Sequence, residues 1–158
     1  MNFSQALHAL HTDPVEVVIP ASWANGRASF GGLVAALVYE VMRLQVPEGR
    51  PVRSLAITFV GPVAPDAPAS YQAEVLREGK AVSQVLGKAM QNGQVCALIQ
   101  GSFGASRDSK INVQGEQAPA IKPVEDCPEL PYIAGLTPEL VQHLAMRWAV
   151  GGMPFSNN

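Results

Sequence analysis

The chain has 158 residues, 47% of them hydrophobic and only 15% charged, with a net charge of −2 and a pI near 5.9. That length allows one domain with a sizeable core, and so apolar a composition points to a large core, a buried partner surface, or both. No Lys/Arg run or basic stripe is present, which argues against nucleic acid as a partner. The longest apolar run, Leu33 to Tyr39, is far too short to span a bilayer, so no membrane partner is expected. The start, MNFSQALHALHTDP, lacks the basic residues and long apolar stretch of a secretion signal, and the cytoplasm is the expected compartment. Cys96 and Cys127 form no CxxC pair and have no Cys/His set to complete a zinc site, so no metal and no cofactor is expected.

Residues 3–10 (FSQALHAL) suit a short amphipathic helix. VEVVI at 15–19 reads as a short strand, and the small, turn-forming residues 21–32 read as a loop. A helix is then expected from Gly31 to Val46, with Ser29 as its N-cap and Pro47 and Gly49 ending it. Its apolar residues Leu33, Val34, Leu37, Val38, Val41, Met42 and Leu44 go round most of the circumference. A surface helix would show one stripe, so this one should be buried on nearly every side. Glu40 and Arg43 have i, i+3 spacing, which fits an ion pair; a catalytic carboxylate at Glu40 is the other reading.

Strand-like runs follow at Arg53–Val60, with Leu55, Ile57 and Phe59 alternating on one face, and at Tyr71–Arg77, Val82–Met90 and Val95–Phe103. Glu78-Gly79-Lys80 reads as one tight turn. Asn92-Gly93 reads as a type I′ hairpin turn, since both residues tolerate positive φ. Two tight turns joining three strands make an antiparallel meander. Residues 105–137 read as a linker or long surface connection. An apolar element follows at 139–150, either the start of a second domain or a piece that packs back on the first. A strand, a buried helix and a run of antiparallel strands in that order define an α+β hot-dog fold, a sheet wrapped around a long central helix, over residues 1–104.

Four pieces carry a resemblance: WANGRASFGG at 23–32, GRPVRSLAITFVGPV at 49–63, VLREGKAVSQV at 75–85 and ALIQGSFG at 97–104. In this order they resemble the N-terminal half of the double hot-dog acyl-CoA thioesterases, the thioesterase II (TesB-like) branch. Residues 138–158 resemble the opening of that family's second hot dog. The resemblance implies hydrolysis of fatty acyl-CoA thioesters, with acyl-CoA as substrate, and a homodimer or a second hot-dog domain as partner. The family's catalytic Asp, Thr and Gln belong to its second hot dog and match nothing in this chain. The alternative is a non-catalytic acyl-CoA-binding or assembly half.

The residues themselves suggest where a thioester would sit. A helix N-terminus presents unpaired N–H groups and the positive end of the dipole. Gly31 and Gly32 lack Cβ, so a carbonyl can approach that backbone; they are the candidate oxyanion donors, or else they serve close helix–sheet packing. Trp23, Asn25, Arg27 and Phe30 are the candidate substrate-binding residues, Arg27 for a phosphate and the aromatics for an acyl tunnel. The base is not identified: in single-domain relatives that begin His-Gly-Gly a carboxylate often stands nine residues after the His, and the corresponding position here is Tyr39. A hot-dog hydratase needs a central His, and none lies between residues 12 and 142. His8 and His11 are read as surface residues.

Overall fold

A computed structural model describes residues 1–11 and 16–151. Val15, the first residue of the expected VEVVI strand, and residues 152–158 of the expected second-repeat opening lie outside the described residues.

The elements run α1 (Phe3–Ala9), β1 (Glu16–Val18), a 3-10 turn (Ala21–Trp23), β2 (Ala24–Asn25), β3 (Ala28–Ser29), α2 (Gly31–Arg43), β4 (Val52–Phe59), β5 (Pro68–Glu78), β6 (Val82–Gln91) and β7 (Gln94–Gly104). One five-stranded antiparallel sheet has the order β1-β5-β6-β7-β4. β2 and β3 form a separate small hairpin. The meander is β5-β6-β7, and its Asn92-Gly93 turn has φ of +53° and +74°, the pair of positive values that a type I′ turn requires. Gly79 N–H closes the other turn on Val82 O.

α2 packs across one face of the sheet, against β5, β6 and β7, and this α+β arrangement is the hot-dog fold. Leu33, Val34, Leu37, Val38, Val41 and Met42 are buried, the i, i+3, i+4 rhythm of a single face. Burying each such side chain is worth roughly 1.5–3 kcal/mol. Gly87 and Gly101 on the inner face let the helix settle close. A Cβ on Gly87 would lie 2.5 Å from Val38 Cγ1 and 2.6 Å from Met42 Cγ and Sδ. The last turn is tightened by Gln45 N–H to Met42 O and Val46 N–H to Arg43 O, before Pro47 and Gly49 (φ +79°) redirect the chain.

Two expectations are corrected. The helix is not enclosed on nearly every side: Ala35, Ala36, Tyr39 and Glu40 are half-buried and Leu44 is exposed. Small alanines make the wheel look apolar all round, but the sheet covers one side, and α1, with Ala6 and the following Leu10 in the core, covers only part of another. Ser29 is also not the N-cap. The cap is Phe30, with no side-chain bond, because Ser29 N–H is held by Val63 O and its backbone still belongs to β3.

β4 is an edge strand exposed along its whole length. Leu55, Ile57 and Phe59 stand opposite Gly101, Ile99 and Ala97, so their row faces the helix side of the sheet. Yet they are 38%, 44% and 58% exposed. Val60 N–H bonds Cys96 O on β7. By alternation, the amides of Leu55, Ile57 and Phe59 turn toward the open side.

After Gly104, residues 106–123 are exposed and carry no regular structure. The chain then returns through 3-10 turns at Val124–Asp126 and Glu139–His143, with a bridge between Glu129 and Arg147. Leu140 is buried there, and the second turn rests on Ala21–Trp23.

Candidate functional site at the N-terminus of the central helix

The β2–β3 hairpin turns at Gly26 (φ +67°) and delivers the chain to α2. Ser29 N–H to Val63 O (2.8 Å) and Phe30 N–H to Trp23 O (2.8 Å) pin the approach. Phe30 O then accepts from Leu33 and Val34, the first bonds of the helix. The N–H groups of Gly31 and Gly32 precede these and have no intrahelical partner.

A pocket of about 280 Å³ opens beside this end, lined by residues 28, 29, 31 and 34, by the run 59–63 and by Cys96. Its outer wall is the exit of β4. Cys96 O takes both Val60 N–H (2.8 Å) and Gly61 N–H (3.0 Å). A bulge in the β6–β7 ladder between Ala89 and Met90 leaves Cys96 and Ala97 buried side by side, which brings Cys96 to the pocket. Buried Gln91 fixes the Val63–Ala64 wall: its Oε1 accepts from Ala64 N–H at 2.8 Å and its Nε2 donates to Ala64 O at 3.1 Å. No carboxylate is among the described residues that line this pocket.

Of the sequence candidates, Gly31 is in the pocket wall, and the ring of Phe59 lies 3.1 Å from where its Cβ would be. Gly32 is exposed, and the Phe30 ring folds over it, 2.5 Å from the position of a Cβ. Asn25 and Arg27 are exposed and line an adjoining recess of about 510 Å³, which shares Ala28 and Pro62 with the first pocket. Trp23 stands apart from both. It is buried, donates from Nε1 to Met1 O at 3.0 Å, and stacks on the ring of His143 at 4.1 Å and 4°.

Glu40 is far from this end of the helix. Arg43 Nε and Nη2 donate to its carboxylate at 2.8 and 2.6 Å, and that bond holds the carboxyl below its usual pKa. The ion-pair reading of the i, i+3 spacing therefore describes what is seen. Tyr39 stacks on Phe103. His8 and His11 are exposed, and among the described residues no group of three His, Cys, Asp or Glu is placed to hold a metal. No helix among the described residues is long and apolar enough to cross a membrane.

Three site features escape a reading of the sequence. Phe59 was legible only as one residue of a strand. Cys96 was legible as a core filler, because no Gly or Pro marks the bulge that redirects it. Ser29 was legible as a cap. Instead it is 6% exposed, and its Oγ has no hydrogen-bond partner among the described residues.

Fold and site together define a hot-dog domain of the thioesterase kind. Residues 19–104 match the family model of the acyl-CoA thioesterase N-terminal domain, more than half of the chain, and the protein belongs to that family. Among solved structures, a conserved hot-dog protein of unknown function from Alicyclobacillus acidocaldarius is 26% identical with a TM-score of 0.72, over 89% of this chain and 52% of that one. An acyl-CoA thioesterase II, TesB2, from Mycobacterium marinum is 24% identical with a TM-score of 0.60, over 72% of this chain and 41% of that one. The chain thus spans about half the length of these relatives. No curated protein matches it in sequence.

Proposed function

We propose that this chain is the substrate-cradling half of a double hot-dog acyl-CoA thioesterase. The N–H groups of Gly31 and Gly32 receive the thioester carbonyl, and a second hot-dog unit supplies the groups that activate water. The observation that carries this reading is the pocket at the helix N-terminus. It brings the Gly31 end of α2 to its wall, has no carboxylate among its described lining residues, and opens beside the free outer edge of β4 with its exposed apolar row.

A second hot dog, from residues 138–158 onward or from another copy of the chain, pairs with β4. It covers Leu55, Ile57 and Phe59 and closes the pocket in one step. On this reading Arg27 and Asn25, in the adjoining recess, bind the phosphates of CoA, and Phe30, whose ring lies over Gly32, borders the path of the acyl chain. The buried Trp23 acts by holding the approach to α2. The family membership and the half-length match to TesB2 support the substrate class and the two-unit site.

The test is hydrolysis of short- and medium-chain acyl-CoAs by the 158-residue chain and by a longer form carrying a second hot dog. Turnover by the longer form is expected, and its absence refutes the reading. The missing carboxylate also favours a second reading, an acyl-CoA-binding half without chemistry. Calorimetric binding of a non-hydrolysable analogue, with no turnover in either form, would establish that one instead.

A further inference from the structure

Ser29 immediately precedes the cap of α2, and its hydroxyl neither caps the helix nor bonds any other group among the described residues. The side chain is more than nine-tenths buried, and the residue forms part of the pocket wall beside Gly31. A buried hydroxyl with no partner forfeits its bonds to water, and natural cores rarely keep one without a use. The site therefore shows two independent signs of a ligand with an acceptor atom: the unpaired N–H groups opening a 13-residue helix, and this unsatisfied O–H.

We infer that the Ser29 hydroxyl is a further donor to the substrate's carbonyl oxygen, acting beside the Gly31 and Gly32 N–H groups. The inference rests on the thioesterase reading above. In hydrolysis, water adds to the carbonyl carbon and the carbonyl electrons move onto oxygen. The tetrahedral adduct collapses with loss of the C–S bond, leaving the acid, while the departing thiolate takes the proton that water gives up. Ser29 keeps its own proton throughout and bonds the oxygen most strongly while that atom is an oxyanion. A serine with two free acceptor lone pairs would not by itself select an oxyanion. The positive end of α2 beside it does, by favouring the orientation in which O–H points to the negative oxygen.

The experiment compares wild type and Ser29→Ala in the longer form with its second hot dog. The expected result is a fall in kcat of about 100-fold, with KM changed by less than about threefold, and a thermal midpoint unchanged or raised. Two CoA analogues separate this role from a structural one. One keeps the carbonyl but replaces the thioester sulfur with CH2; the other is an S-alkyl-CoA with no carbonyl. Ser29→Ala should bind the ketone about threefold to tenfold more weakly and the S-alkyl compound as wild type does. Equal kcat in the two proteins, or equal losses for both analogues together with a lower midpoint, would overturn the inference while leaving the thioesterase reading intact. An inactive wild-type long form would remove both.

Discussion

Gly87→Ala tests how closely the central helix sits on the sheet. The backbone of Gly87 is not in the left-handed region, so alanine is allowed there, and stiffening the unfolded chain would by itself stabilise by about 0.4–1 kcal/mol. The new methyl, however, would lie 2.5 Å from Val38 Cγ1 and 2.6 Å from two atoms of Met42. Carbon contacts are comfortable near about 3.5–4 Å, so α2 has to lift by about 1 Å. Val38 is stiff at χ1 and buried, and it has nowhere to turn. Overpacking of this kind costs about 1–3 kcal/mol, and lifting the helix loosens every side chain of the buried face. A net loss of about 2 kcal/mol is expected, or a fall in Tm of about 4–8 °C for a chain of this size. Gly101→Ala is the control. Its methyl would meet the terminal Met42 Cε at 2.7 Å, Phe103 Cε2 at 3.0 Å and Leu55 Cδ2 at 3.1 Å. Met42 can swing and Leu55 is partly exposed, so a cost below about 1 kcal/mol is expected. Urea unfolding followed by far-UV circular dichroism measures both. Gly87→Ala as stable as wild type, or less harmful than Gly101→Ala, would refute the packing argument.

Tyr71→Phe should stabilise the fold by about 1 kcal/mol, because the hydroxyl is buried with no partner among the described residues and burial pushes its pKa up; a destabilised variant in the same urea experiment would show that the hydroxyl is bonded. The 158-residue chain should run as a dimer in light scattering, and Ile57→Lys, a charge placed on the exposed row of β4, should run as a monomer; a clean wild-type monomer counts against pairing along this edge. The Trp23–His143 stack should loosen in acid. Desolvation, and then the charge of the nearby amino terminus, holds His143 below the ordinary imidazole pKa, so the unfolded state binds the proton first. The contribution of the stack is therefore complete above about pH 6.5 and is lost as the pH falls through the lower folded value. Tryptophan fluorescence and limited proteolysis across residues 124–148, from pH 7.5 to 5, should change together in wild type and not in His143→Gln.

Legibility followed how local the cause was. Asn92-Gly93, Gly79 and the Pro47–Gly49 stop each act on their own backbone, and the meander and the helix end fall where those residues put them. The Glu40–Arg43 pair spans one helical turn and was equally readable. The enclosure of α2 was not, because a helical wheel counts Ala35 and Ala36 as apolar without saying that anything reaches them. Leu55, Ile57 and Phe59 show the same limit: alternation assigns them one face, but whether that face is covered depends on a neighbouring strand. Ser29 was misplaced because cap preference ranks residue types, while the bond from its N–H to Val63, more than thirty residues away, decides where the helix begins. The stack of Trp23 on His143 has a still longer separation and leaves no trace in spacing.

On the proposed reading, the bare edge and the incomplete site are one problem. The pocket's outer wall, Phe59 to Val63, is the continuation of the unpaired strand. Left open, that wall admits water, which competes for the Gly31 and Gly32 N–H groups and screens their charge. Donors of this kind become catalytic when solvent is excluded and the local dielectric falls. A partner strand laid along β4 satisfies the outward amides of Leu55, Ile57 and Phe59, removes that apolar row from water and dries the helix N-terminus. No additional conformational switch is then required, since the surface that drives association is the surface that completes the pocket. It follows that, with the second hot dog supplied as a separate polypeptide, variants weakening the β4 edge should reduce activity in proportion to the unpaired fraction, and that activity lost through Ile57→Lys should return as the concentration of that second unit is raised. Activity lost through Ser29→Ala should not return. A loss in Ile57→Lys that is independent of concentration would separate assembly from chemistry and contradict this link.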